Sequence, residues 1–169
     1  KTIQSALENM GLETSFHFAE GETRTNLKVV DLAEHTNTDI NEPGITVSEE
    51  LLDGLLRELL AKLTREDIVV LSGSLPKGAP KNTYYIWVKA CRETGAKVIL
   101  DADGELLLAG LEAAPYLIKP NNHELSGLLG EKLETPRELE RAARHLMEKY
   151  GIAKIVVSMG GEGALYVTK

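Results

Sequence analysis

From residue 68 onward, short uninterrupted apolar runs alternate with longer segments in which apolar residues recur every three or four positions. Runs of the first kind predict buried strands, and segments of the second kind predict helices with one apolar face. The predicted strands cover residues 68–71, 97–100, 116–118, 155–157 and 164–167, and the predicted helices cover 83–93, 105–111, a segment from 122, and 136–150. Strands without polar alternation, each followed by a helix, are typical of a mostly parallel sheet covered on both faces.

The first third of the chain has a different pattern. A helix is predicted to end at Gly11, and alternation over residues 15–19 and 25–31, with a β-prone segment at 35–40, predicts a small sheet outside the main core. Ser48 is expected to cap a helix that runs to Lys62. We therefore expect a single α/β domain with a small sheet around residues 12–47 and an α/β core over residues 48–169.

Composition limits the classes of function. The chain has 169 residues, of which 43% are hydrophobic and 27% charged, as in a globular protein with a substantial core. The net charge of −7 argues against general binding to nucleic acids or membrane surfaces, because polyanion binding needs clustered Lys and Arg. The single cysteine, Cys91, excludes an internal disulfide and suits a reducing compartment. No apolar stretch reaches membrane-span length, and a cytoplasmic location is expected.

The most informative motif is Lys119-Pro120-Asn121-Asn122-His123-Glu124, which follows the predicted strand at 116–118. The start of a helix after a buried strand favours anions, since its first amide groups lack partners within the helix. Lys119 would add a positive charge, and Glu124 could hold a hydrated Mg²⁺. However, Asn121 and Glu124 also have the spacing of a capping box, in which both would only satisfy backbone amides. The residues alone leave both interpretations open.

Three further motifs follow predicted strands. Ser72-Gly73-Ser74 offers two hydroxyl groups beside a glycine that permits close backbone approach, so it could bind a ligand or form a plain turn. Asp101-Ala102-Asp103-Gly104-Glu105 gathers three carboxylates that could coordinate Mg²⁺, although Asp103 could instead cap the following helix. Ser158-Met159-Gly160-Gly161-Glu162-Gly163 is expected to form a hairpin-like turn whose amides can line a nucleotide. In α/β sheets, ligands bind beyond the carboxyl ends of the strands, where all these motifs lie.

In this order, the motifs resemble those of the PfkB group of the ribokinase-like sugar kinases, and most strongly its branch that acts on sugar phosphates. The resemblance covers essentially the whole chain. It implies a three-layer α/β sandwich with a mostly parallel central sheet and a small β lid formed by the strands around residues 12–47, here called the lid. It also implies site residues: Arg24 and Ser74 for the sugar phosphate, Lys119, Asn121, Ser158, Gly160 and Gly163 for the nucleotide, and Asp101 and Glu124 for the metal.

Two family motifs have no counterpart within the chain. An early glycine-rich segment would precede Lys1, and a Gly-Ala-Gly-Asp motif with the anion hole and the catalytic base would follow Lys169. We therefore expect an internal piece of the family domain that contains no catalytic base and is inactive alone. A further departure is Asp103, since family members more often carry serine there.

The resemblance implies an ATP-dependent kinase that uses Mg²⁺ and converts fructose 1-phosphate to fructose 1,6-bisphosphate. Tagatose 6-phosphate or fructose 6-phosphate is the alternative substrate, because no visible residue identifies which end of the ketose carries the phosphate. An alternative of another class is a nucleotide-binding or regulatory module without catalysis. The expected partners are sugar phosphate and ATP, together with a second copy bound through the lid.

Overall fold

The computed structural model of the protein describes residues 2–169 and divides into two compact units. One unit contains the residues up to Leu55 together with Pro76–Gly78, and the other contains Leu56–Leu75 and Ala79–Lys169. Lys1, which we expected in the first helix, lies outside the described residues. Among residues 2–169, no helix is long and apolar enough to cross a membrane.

The first unit holds the predicted small sheet. Helix α1 (Thr2–Asn9) is followed by strands β1 (Asn26–Asp31) and β2 (Thr36–Asn41), and helix α2 (Glu49–Lys62) begins in this unit and ends in the other. β1 and β2 pair in antiparallel fashion, and every residue of both strands is exposed. The predicted cap of α2 is confirmed, because Ser48 Oγ accepts a hydrogen bond from the Leu51 amide at 3.3 Å.

The predicted strand at residues 15–19 is wrong. No strand forms there, although the side chains do alternate. The rings of Phe16 and Phe18 stack with their centroids 6.2 Å apart. His17 points the other way, so that a Cβ added to Gly54 of α2 would lie 3.6 Å from the imidazole. Alternation reports which side chains share a face, but a strand also needs a neighbour that supplies backbone hydrogen bonds.

The second unit alternates strands and helices much as the pattern predicts. Its elements are β3 (Ile68–Ser72), α3 (Thr83–Glu93), β4 (Lys97–Asp101), α4 (Gly104–Leu111), β5 (Leu117–Ile118), α5 (Asn122–Leu129), α6 (Pro136–Tyr150), β6 (Lys154–Ser158) and β7 (Ala164–Thr168). The five strands form one sheet in chain order; β3 to β6 run parallel, and β7 is antiparallel to β6.

One face of this sheet forms the core. Each crossover steps to the next strand in the same direction, so right-handed connections place α3, α4, α5 and α6 on the same side. The strand residues beneath this layer are buried apolar side chains: Val69, Leu71, Val98, Leu100, Ile118, Ile155, Val157 and Val167. Helix α4 lies directly on the sheet, because a Cβ on Gly110 would overlap Leu100 Cδ2.

The opposite face of the sheet is open and carries exposed apolar side chains. Ile68 is 61% exposed, Val70 is 59% exposed and Tyr166 is 54% exposed. Within residues 2–169, the structure therefore supplies the sheet and one helical layer of the expected sandwich. Exposed apolar side chains of this kind favour association with another apolar surface.

We predict that the 169-residue chain self-associates through this open face, and that Val70→Glu shifts it towards the monomer. The substitution places a charge in the patch, and its effect on folding should be small because Val70 is already 59% exposed. Light scattering coupled to size-exclusion chromatography measures the change. Ile86→Glu is the matched control, since Ile86 is 43% exposed on the helical side, in α3. Equal effects of the two substitutions would contradict the prediction.

Candidate functional site

Strand register brings the predicted motifs together at the carboxyl edge of the second unit's sheet. Ser72, the last residue of β3, pairs with Asp101, the last residue of β4. The Gly73 amide donates a hydrogen bond to the Asp101 carbonyl oxygen at 2.9 Å, and the Lys119 amide donates to the Leu100 carbonyl oxygen at 3.4 Å. Backbone hydrogen bonds therefore join the serine loop, the acidic loop and the lysine loop.

The glycine loop after β6 is attached to the same edge. The Ser158 amide donates to the Pro120 carbonyl oxygen at 3.0 Å, and Ser158 forms an isolated parallel bridge with Asn121. The nucleotide-binding residues predicted on these two loops are thus neighbours. The four strand ends are linked in sequence by main-chain contacts, which do not depend on side-chain identity.

Asp101 and Lys119 form an ion pair. Lys119 Nζ lies 3.2 Å from Asp101 Oδ1, and the two side chains are 46% and 34% exposed. The family resemblance implied separate roles for these residues, and their contact is visible only in the structure. A pair this exposed contributes at most about 1 kcal/mol to stability. Its main effect is to hold the ammonium and carboxylate groups beside each other at the strand ends.

The Asn121–Glu124 capping box is present. The Glu124 amide donates to Asn121 Oδ1 at 2.8 Å, and the Asn121 amide donates to Glu124 Oε2 at 2.9 Å. Asn121 Nδ2 also donates to Glu124 Oε1 at 2.7 Å, so both carboxylate oxygens are engaged. The predicted capping role of Asn121 and Glu124 is therefore confirmed. The Glu124 carboxylate can still bind a further partner, because its two oxygens have about four acceptor positions.

The donor set fits a hydrated magnesium ion shared with a phosphate ligand. Among residues 2–169, no group of three or more His, Cys, Asp or Glu side chains could hold a metal ion. A cage made of protein ligands alone is therefore absent from the described chain. Mg²⁺ usually takes only one or two carboxylates and completes its octahedron with water and substrate phosphates, an arrangement to which Asp101 and Glu124 are suited.

The three carboxylates of the Asp101–Glu105 motif have different surroundings. Asp101 contacts Lys119, whereas Glu105 Oε2 lies 2.6 Å from Lys81 Nζ, and the hydrogen bond and charge of Lys81 lower the pKa of Glu105. Asp103 stands at the N-cap position of α4, but its side chain makes no cap hydrogen bond. The motif is therefore not one acidic cluster, and Asp101 is the member at the loop junction.

The Ser72–Ser74 loop is held by a residue that sequence analysis missed. Tyr84 lies in the first turn of α3, and its hydroxyl group donates a hydrogen bond to the Gly73 carbonyl oxygen at 2.7 Å. Burial raises the pKa of Tyr84, and the nearby charges of Asp101 and Asp103 raise it further, so the hydroxyl remains a donor at neutral pH. In the sequence, Tyr84 looks like any apolar helix position, and no local signal distinguishes it.

The Ser158–Gly163 loop is the predicted hairpin-like turn. β6 pairs with β7 from Ser158 opposite Ala164, and the Met159 amide donates to the Gly163 carbonyl oxygen at 2.9 Å. A short 3₁₀ turn covers Gly160–Glu162. The φ of Gly163 is +95°, which explains why glycine stands there. The loop is thus a tight turn in which backbone forms much of the surface.

Arg24 belongs to the first unit and is described within it. Its side chain packs beside Gly44, where an added Cβ would lie 3.4 Å from Arg24 Cδ. The neighbouring Thr25 amide donates to Glu42 Oε2 at 2.8 Å. Residues 24 and 25 are therefore fixed against residues 42–44, which follow β2. The structure thus places Arg24 at the base of the small sheet.

The fold and these loops define an α/β protein whose ligand edge carries a lysine, a capped helix start and a glycine turn, as phosphate-binding proteins do. The model of the pfkB family of carbohydrate kinases matches residues 1–169, and the chain belongs to that family. The predicted fold class is confirmed by solved structures of the family.

Relatives with the same domain include 1-phosphofructokinases. The chain is 39% identical over 166 residues to 1-phosphofructokinase of Bacillus subtilis, covering 98% of this chain and 53% of that protein. It is 35% identical to the Escherichia coli K12 enzyme of the same name, covering 98% and 52%. A crystal structure of Escherichia coli phosphofructokinase-2 in complex with fructose-6-phosphate matches with a TM-score of 0.87 at 30% identity, covering 99% of this chain and 55% of that one. The chain therefore spans about half the length of the curated relatives it matches.

We predict that Glu124→Gln lowers the melting temperature of the complete gene product by a few degrees, whereas Glu138→Gln does not. Glutamine at 124 would set its amide nitrogen against Asn121 Nδ2, a donor against a donor, and lose one hydrogen bond worth about 1 kcal/mol. At 138, one oxygen accepts from both the Glu134 and Thr135 amides, which glutamine reproduces. Thermal melts of both variants provide the measurement, and equal shifts would contradict the prediction.

Proposed function

We propose that the protein is an ATP-dependent kinase that converts fructose 1-phosphate to fructose 1,6-bisphosphate. The observation that carries the proposal is a set of backbone hydrogen bonds, which the amides of Gly73, Lys119 and Ser158 donate to the carbonyl oxygens of Asp101, Leu100 and Pro120, respectively. It joins a loop with two hydroxyl groups to a cation and a glycine turn on one edge of the sheet. Phosphoryl transfer depends mainly on such positioning and on charge neutralisation.

The choice of sugar rests on the relatives. The two curated proteins cited above are named 1-phosphofructokinase, at 39% and 35% identity. The solved structure at 30% identity is a phosphofructokinase-2 with bound fructose-6-phosphate. The higher identity favours fructose 1-phosphate, and fructose 6-phosphate and tagatose 6-phosphate are the alternatives. Comparing kcat/KM for the three ketose phosphates separates these possibilities.

On the nucleotide side, we assign Lys119 and Asn121 to the ATP phosphates and the Ser158–Gly163 turn to the remainder of the nucleotide. The Lys119 ammonium is 46% exposed beside Asp101, so it can approach a phosphate while keeping its carboxylate partner. The turn carries no side chains at Gly160, Gly161 and Gly163, where an added Cβ would meet no atom within 4 Å, so its backbone is open to a ligand. Backbone groups of this kind favour anionic ligands in tight turns.

Asp101 and Glu124 would hold Mg²⁺, which, when bound, neutralises phosphate charge. The residues themselves supply rigid carboxylates. Asp101 is oriented by Lys119, and Glu124 is oriented by two hydrogen bonds from Asn121. On the sugar side, Ser74 follows the tethered Gly73, and Arg24 is assigned to the substrate phosphate.

We propose further that this chain is part of a longer polypeptide. The chain corresponds to the central part of a kinase domain, with the lid and the α/β core as parts of one catalytic unit. The catalytic base then belongs to sequence beyond these residues. A cytoplasmic location and a homodimer through the lid complete the proposal. The lid sheet supports dimerisation because its exposed strands carry Leu27, Val29 and Ile40 on one face.

A nucleotide-binding module without catalysis is the second candidate. It is favoured by one observation, namely that Lys119, Asn121 and the Ser158–Gly163 turn all lie in the second unit, whereas Arg24 lies in the first. Such a module would bind ATP with the same lysine and turn. Turnover by the complete gene product, measured as ADP formation with and without ketose phosphate, discriminates the two.

We predict that Arg24→Ala in the complete gene product raises KM for the sugar phosphate roughly tenfold or more, because a charge-assisted pair with phosphate is lost. The KM for ATP should stay nearly unchanged. Lys28→Ala is the matched control, since Lys28 is another lid cation and pairs with Asp39 at 3.5 Å. Steady-state kinetics with each substrate varied in turn provide the measurement. An unchanged KM for the sugar phosphate would remove Arg24 from the site.

We predict further that Glu124→Gln raises the Mg²⁺ concentration required for half-maximal activity and lowers kcat. The amide removes the negative charge that a hard cation prefers. Titration of activity with Mg²⁺ at saturating ATP and sugar phosphate provides the measurement. Glu138→Gln serves as the control, because Glu138 has the same capping role on α6 without a preceding strand. Normal Mg²⁺ dependence in Glu124→Gln would leave only the capping role.

A further inference from the structure

Tyr84 is buried and tightly packed at the start of α3. It is 5% exposed, and an added Cβ on Gly110 of α4 would lie 3.6 Å from Tyr84 Cβ. The preceding residue, Thr83, is also fixed, because its hydroxyl donates to the Pro80 carbonyl oxygen at 2.6 Å. The ring therefore has little freedom to move, and its hydroxyl group occupies a fixed place beneath the serine loop.

The Gly73 peptide is held from two directions. Its amide donates to the Asp101 carbonyl oxygen at 2.9 Å, and its carbonyl oxygen accepts from the Tyr84 hydroxyl at 2.7 Å. Gly73 itself has φ of +90°, a conformation that most residues avoid. The hydrogen bond from its amide and the hydrogen bond to its carbonyl oxygen together define the direction in which the chain continues to Ser74.

We infer that Tyr84 is a positioning residue for the sugar-phosphate loop: its hydroxyl fixes the Gly73 carbonyl and thereby aims Ser74. This inference rests on the proposed function, because it assumes that Ser74 contacts the sugar phosphate. Tyr84 acts on the sugar side only. The lysine and glycine loops are attached to the sheet edge by other hydrogen bonds, from the Lys119 and Ser158 amides.

A purely structural role of Tyr84 predicts a different result. Removing a hydroxyl from a buried core contact would lower stability and affect both substrates alike. Removing a hydroxyl that aims one loop would loosen that loop and affect one substrate. Tyr85 offers a matched comparison, since it is the next residue on α3, is partly buried, and makes no hydroxyl hydrogen bond within residues 2–169.

The experiment compares Tyr84→Phe with Tyr85→Phe in the complete gene product. For Tyr84→Phe we expect KM for the sugar phosphate to rise roughly three- to tenfold, with KM for ATP changed less than about twofold. Hydrogen exchange by mass spectrometry should show faster exchange confined to residues 72–76. Tyr85→Phe should change neither KM nor exchange in that loop.

The outcomes separate this inference from the proposed function. An unchanged sugar-phosphate KM in Tyr84→Phe, while Arg24→Ala raises it, overturns the positioning role and leaves the kinase proposal intact. Proportional changes in both KM values, or loosening throughout the sheet, also overturn it in favour of a structural role. If the unmodified protein phosphorylates no ketose phosphate, the proposed function fails. The exchange measurement then still decides whether Tyr84 holds the loop.

Discussion

The in-register pairing of β3 with β4, which sets Ser72 beside Asp101, is the constraint on which the candidate site depends. Parallel strands that step in one direction all release their loops at the same edge, so the sheet topology itself gathers the loops. The amides of Gly73, Lys119 and Ser158 then join neighbouring loops. Because these contacts are made by the main chain, the arrangement tolerates side-chain variation. Only a few positions at the edge need particular chemistry.

The same topology decides which surface is left open. Crossovers of one hand in one direction place all four core helices on one face, and that face holds the buried apolar side chains. The other face keeps Val70 and Tyr166 largely exposed. Covering these exposed apolar side chains would stabilise the sheet further, since burial of apolar surface is favourable. The strand order therefore determines both which face of the sheet is buried and where the loops of the candidate site lie.

Much of this fold could be predicted because its signals are local. The bounds of α3 and α6 match the predicted segments 83–93 and 136–150, since apolar periodicity and the Thr135–Glu138 cap specify them directly. The strand at 15–19 could not be excluded, because pairing depends on distant residues. The Asp101–Lys119 ion pair escaped prediction for the same reason. Residues 18 positions apart become neighbours only through the register of β4 and β5.

Glu124 shows why a structural role and a ligand role need not exclude each other. Its hydrogen bonds to Asn121 fix the side-chain rotamer of the carboxylate before any ligand arrives. A flexible glutamate would lose rotamer entropy on binding a cation, whereas a capped one has already lost it on folding. Glu138 makes the same kind of box on α6, which follows helix α5 rather than a strand. The helix cap thus preorganises the Glu124 carboxylate. Because the capped helix follows β5, this carboxylate lies at the sheet edge, where it can serve a bound cation.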